Sequence, residues 1–142
     1  MPIQWRKQMT VGNLIIDLDH RYLIALINQV EYAMRHPEEK DILDNAVEQL
    51  KAYAREHFDR EERIQLHISY QHYHDHKFLH QQLLERLDAI AERIDAHHER
   101  GELTEAGEEI AGLLRDWLLN HVLKEDMKMK CDLEQAPPNL MG

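Results

Sequence analysis

The sequence predicts an all-α fold: an antiparallel four-helix bundle of up-down-up-down topology with an extended N-terminal arm. Three observations lead there. The 142 residues include only 5 Gly and 4 Pro, and aromatics make up 6%, so the turn residues and β-formers of a sandwich or barrel are missing. An apolar content of 43% suffices for one core in a chain of single-domain length. Four long segments also place apolar residues at alternating steps of three and four, the period of helices packed about 20° from antiparallel.

Residues 1–16 hold Pro2, Ile3, Trp5 and Gly12 without a sustained period, and read as an arm that covers one end of the core. The first helix is expected from Leu18 to Arg35, with Asp17 or Asp19 as cap and His36-Pro37 as the stop. Its stripe runs Ile16, His20, Leu23, Ile27, Val30, Met34. A second helix, Glu38 to Leu66, is opened by Pro37 and carries Leu43, Val47, Leu50, Ala54, His57, Glu61, Ile64. The third, Gln71 to Glu99, carries Tyr73, His76, His80, Leu83, Leu87, Ile90, Ile94 and stops at Gly101. The fourth, Thr104 to Lys130, has Thr104 as its cap and carries Ile110, Leu114, Trp117, His121. One bundle domain over 1–131 follows, with 132–142, containing Pro137-Pro138, as an irregular tail.

Charge narrows the function. A net charge of −10, with 17 basic residues scattered along the chain, disfavours a nucleic-acid partner. There is no run of 18 apolar residues and no signal-like apolar stretch in Met1 to Thr10, so the expectation is a cytoplasmic protein that does not insert in membranes. The single Cys131 fits a reducing compartment. What demands explanation is histidine, at 11 residues more than twice the glycine count.

His20, His57, Glu61, His76, His80 and His121 fall where the stripes call for buried apolar side chains. Burying them is costly unless they are paired or bind metal. They sit at the starts of the odd helices and the ends of the even ones, which in an up-down-up-down bundle is one end. All six therefore meet in one layer. His57 with Glu61, and His76 with His80, are i,i+4 pairs that share a helix side. Asp126 lies five residues after His121, about 140° out of phase in a regular helix, and reaches the layer only from a widened turn. His36, His67, His72, His74, His97 and His98 read as solvated or peripheral to it. His72 with His76 is a further i,i+4 pair, but the core phase selects His76 and His80. The charge runs at Asp59 to Arg63 and Glu108-Glu109 read as solvated faces, Glu61 excepted.

Five His, one Glu and one Asp are too many ligands for one ion. Two six-coordinate ions fit if Glu61, Asp126 and one solvent-derived group bridge them. The ion with three His is then full, and the ion with two keeps one open position. No Glu-x-x-His and no H-E-x-x-H is present, against ferritin-like and zinc-hydrolase sites. Mixed imidazole and carboxylate ligation favours iron, with manganese the alternative.

The chain resembles the hemerythrin family over about residues 3 to 130. The segments that carry the resemblance are Val11-Gly12 with Ile16-Asp17-Leu18-Asp19-His20, then His57-Phe58-Asp59-Arg60-Glu61-Glu62, His76-x-x-x-His80, and Trp117-Leu118-x-x-His121-x-x-x-x-Asp126. The resemblance implies that His76, His80 and His121 bind one iron, that His20 and His57 bind the other, and that Glu61 and Asp126 bridge. It implies reversible dioxygen binding at the five-coordinate iron, for carriage, storage or delivery, with no enzymatic turnover. It also places Leu118 against the O2 site; with Trp117 it is expected to wall the O2 pocket, the alternative for both being plain core packing. Three positions depart from the family pattern: Asp19 replaces Gln before the first ligand His, Gln71 replaces Pro, and Ile64 to Leu66 lacks a Met. Asp19 is expected to hydrogen-bond His20 or to alter the charge around it. A sensor or scavenger of O2, nitric oxide or iron, acting through a separate partner, is the alternative function. A histidine phosphotransfer bundle using His67 or His36 leaves the buried layer unexplained.

Overall fold

A computed structural model of the chain describes residues 2–142. Four helices dominate it: α1 (Leu14–Met34), α2 (Lys40–His67), α3 (Tyr73–Glu99) and α4 (Leu103–Asn120). Each packs on the next and α4 closes back on α1. Short links make neighbours antiparallel, and the ends agree: Lys40 at the start of α2 lies 3.5 Å from Asp95 near the end of α3. The predicted all-α bundle is the observed fold. No described helix is long and apolar enough to cross a membrane.

Several boundaries differ from the sequence reading, each for a local reason. α1 starts at Leu14, inside the expected arm, because Asn13 takes the cap position and its Oδ1 accepts the Ile16 N–H at 3.0 Å. Asp17 is no cap; its carboxylate accepts the N–H groups of Val11 and Gly12 and fixes the arm. Pro37 lies in the link before α2, where its carbonyl accepts from His98 Nε2 at 2.7 Å. Thr104 is likewise inside α4, with Glu102 at the cap position making no side-chain cap bond. Gly101 does end α3. At φ 69° it lets Gly101 N–H reach the His98 carbonyl and Glu102 N–H the His97 carbonyl, a Schellman closure. α2 closes the same way through Ser69 at φ 54°, which sets Tyr70 against the end of the bundle.

The arm runs along α1, its Ile3 backbone clamped on both sides by the Asn28 amide. The tail is more ordered than predicted. A short helix α5 (Lys130–Glu134) buries Leu133, one turn beyond buried Met129 on the same stripe, and beyond it Pro138 and Leu140 carbonyls accept from Leu14 N–H and the Asn13 amide. Two apolar clusters result. The larger fills the bundle from Leu23, Leu50, Leu87 and Leu114 outward; the smaller joins Val11, Ile16, Ile64, Tyr70, Met129 and Leu133 at one end. A polar layer lies between them in every helix.

Candidate metal centre

Each helix delivers its polar residues to that layer as the phase requires. His20 follows Ile16 and precedes Leu23, while His57 and Glu61 lie between Ala54 and Ile64. His76, His80, His121 and Asp126 complete it, and all seven side chains are buried. Asp126 arrives through the widened turn. After Asn120 the chain runs as a π turn, His121–Glu125, in which Asp126 N–H donates to the His121 carbonyl five residues back. That stacks Asp126 over His121, whose Nε2 is 2.9 Å from Asp126 Oδ1.

The carboxylates divide their oxygens between two groups of imidazoles. Glu61 Oε1 lies 2.9 Å from His76 Nε2 and 3.1 Å from His80 Nε2, while its Oε2 lies 3.1 Å from His57 Nε2 and 3.6 Å from His20 Nε2. Asp126 Oδ1 faces His76 and His121 at 2.9 Å, and Oδ2 faces His20 at 3.0 Å. Two candidate cation sites follow, one of His76, His80 and His121 and one of His20 and His57, with Glu61 and Asp126 common to both; within each set the donor atoms lie within 4.8 Å of one another.

Hydrogen bonds within the protein do not satisfy this layer. His20 Nε2, His80 Nε2, His121 Nε2, Glu61 Oε2 and both Asp126 oxygens are buried without a hydrogen-bond partner. Orphaned lone-pair atoms converging from four helices are costly unless a cation takes them. Charge points the same way. Burial alone would push Glu61 and Asp126 toward protonation, yet the imidazoles around them hold both well below the usual carboxylate range. Burial would likewise lower His20 and His76, but the carboxylates of Asp126 and Glu61 beside them push each up to about 10. The layer thus demands positive charge, from protons or from metal. Imidazole nitrogens with carboxylate oxygens suit iron, zinc or manganese, so the residues present fit a metal pair.

Around the layer, the surroundings differ from expectation. Asp19 bonds His57, not His20: its Oδ2 accepts from His57 Nδ1 at 2.9 Å, and Arg60 and Tyr53 also donate to the carboxylate. Glu62 is not simply a solvated charge, since its Oε2 accepts from His80 Nδ1 at 2.8 Å. Both carboxylates leave the imidazole's Nε2 free for the interior, the arrangement that orients imidazoles wherever they bind metal. His36, His67, His72 and His74 are exposed, and His97 and His98 lie at the far end of α3, so none joins the layer.

Phe58 and Gln65 escaped the sequence reading. Phe58 is buried and stacks on the His80 ring, centroids 4.1 Å apart at 13°. Its signal was its place beside His57, three residues before Glu61 and four after Ala54. Gln65, fully buried one turn past Glu61, has its amide nitrogen on Met129 Sδ at 3.0 Å. Trp117 is buried with its indole N–H donated to the Leu83 carbonyl at 2.8 Å, and Leu118 is buried in the larger cluster.

Bundle and layer together define a class: four-helix proteins with a buried layer of five imidazoles and two shared carboxylates that could hold cations. The profile described as Hemerythrin HHE cation binding domain matches residues 11–133, and the chain belongs to the hemerythrin family. A bacteriohemerythrin of Pseudomonas aeruginosa is 30% identical over 122 residues, covering 86% of this chain and 75% of the relative. A bacteriohemerythrin of Stenotrophomonas maltophilia is 26% identical over 125 residues, with the same coverage, and a hemerythrin-like protein of Naegleria gruberi is 26% identical over 129 residues, covering 91% and 92%.

Proposed function

We propose that the chain binds dioxygen reversibly at a non-haem diiron centre, held by His76, His80 and His121 on one side and His20 and His57 on the other, with Glu61 and Asp126 bridging. The division of the carboxylate oxygens between the two imidazole groups is the observation that supports this most. Iron held there would supply the two electrons that dioxygen takes up on binding and returns on release. The rest falls to the chain. Three imidazoles against two leave the His20 and His57 side one donor short, so an incoming ligand has its place there. Five neutral imidazoles with only two carboxylates stabilise high-valent iron less than carboxylate-rich sites do, which favours binding over turnover. Leu118 and Trp117 are read as the wall that keeps water from the ligand.

Iron analysis and absorption spectra of protein loaded in its own host test the reading. The expected result is about two irons per chain, with near-ultraviolet and visible oxo-to-iron charge-transfer bands in air. One ion per chain, or zinc alone, would overturn it.

A further inference from the structure

Asp19 is 4% exposed and accepts four hydrogen bonds. Tyr53 Oη and Arg60 Nη2 donate to Oδ1; Arg60 Nε and His57 Nδ1 donate to Oδ2. The Arg60 guanidinium also lies over the Tyr53 ring, 5.2 Å from its centroid. The four donors come from three residues of α2, whereas Asp19 comes from α1 beside His20, so the cluster ties the two helices that supply the two-His side. His20, by contrast, has no partner at Nδ1. His57 is therefore the imidazole on this side whose electron density the protein controls.

We propose that Asp19 is a positioning residue whose charge, divided among His57, Arg60 and Tyr53, sets how strongly His57 donates to the metal and hence the reduction potential of the two-His side. The inference rests on the diiron reading above. A carboxylate on Nδ1–H fixes the tautomer that presents the Nε2 lone pair inward and draws the proton partly away, making the ring more anionic. A more anionic ligand favours Fe(III) over Fe(II). Arg60 Nε shares Oδ2 with His57, while Arg60 Nη2 and Tyr53 draw on the same carboxylate charge through Oδ1, so both residues weaken the pull on His57. Substitutions on the two sides of Asp19 must then act in opposite directions, although each breaks the same cluster. A merely structural role moves them together.

The test uses wild type, Asp19→Asn and Tyr53→Phe, each assayed first for two irons, then titrated anaerobically in a mediated spectroelectrochemical cell. The couple is Fe(III) plus one electron from the electrode giving Fe(II). Asp19→Asn, which keeps an acceptor for His57 but loses the charge, is expected to shift the midpoint positive; Tyr53→Phe, which frees an Asp19 oxygen, is expected to shift it negative. In the zinc-loaded protein, the His57 Nδ1–H proton resonance should move upfield in Asp19→Asn and downfield in Tyr53→Phe. Should Asp19→Asn fail to hold metal, Tyr53→Phe alone decides by the sign of both shifts. Two irons in every variant with unmoved midpoints, or shifts of one sign, overturns this proposal and leaves the diiron reading standing. A wild type without two irons removes that reading instead, and the zinc-loaded resonances then judge the Asp19 contact by themselves.

Discussion

Asp126 donates its backbone N–H to the carbonyl of His121, and that single i→i+5 bond brings the two side chains to one side of the helix. A regular turn would hold them about 140° apart. A π turn is one residue inserted into an α-helix, so the layer depends on where that residue is. Deleting exposed Lys124 should turn the segment into α-helix, put the Asp at i+4 from His121, and retain both irons. Inserting Ala after Lys124 should rotate Asp126 by about 100° and lose metal. Iron content checks both; equal retention in the two variants would contradict the account of the turn.

His80 and His72 offer a direct contrast on α3 and the link before it. His80 is buried in the layer, whereas His72 is exposed. His80→Ala should lose one ion or leave it weakly held, and His72→Ala should keep both. Equal loss of iron would refute the assignment.

Leu118 is buried one turn before His121. Truncation to Ala is expected to cost about 2 to 5 kcal/mol as for any core leucine, so polarity separates the roles better than size. Leu118→Asn should keep two irons and convert the oxygenated form to the met form several-fold faster, followed by the decay of its absorption. A rate equal to wild type in a folded, two-iron variant makes Leu118 a core residue only.

Metal removal should expose the charge demand of the layer. In the metal-free chain the His20 and His76 values rise from 6.5 to about 10, as the nearby Asp126 and Glu61 carboxylates outweigh burial. A raised folded-state pKa gives stability that is full below 6.5 and is lost as pH rises through 10. Urea denaturation of the metal-free chain should therefore show stability falling across that window. Protein with iron bound, its imidazoles neutral ligands, should lack this loss. A flat metal-free profile from pH 6.5 to 10 would contradict the electrostatics.

Much of this was legible in the sequence because helical period converts spacing into position. Phase alone separated His80 from exposed His72, and the five-residue gap before Asp126 announced a widened turn. Caps were less legible. Asn13, Asp17 and Asp19 all suit a helix start, and only the arm's path, with Asp17 folded back on Val11 and Gly12, decides among them. The partner of Asp19 was misread for a related reason. His20 is its neighbour in sequence, but successive residues point about 100° apart on a helix, so Asp19 meets α2 and bonds His57. Leu133 and Leu140 complete the smaller cluster from a tail whose prolines suggested irregular structure, because pairing with Asn13 and Leu14 depends on tertiary contact alone.

A diiron pair that binds dioxygen reversibly must take it up when the protein is fully reduced. An anaerobic titration of the diferrous form with measured additions of O2 should saturate at one O2 for two irons, develop the charge-transfer bands in step, and return to the starting spectrum under argon. Absence of uptake, or consumption of O2 that argon does not reverse in protein carrying two irons, would contradict reversible binding.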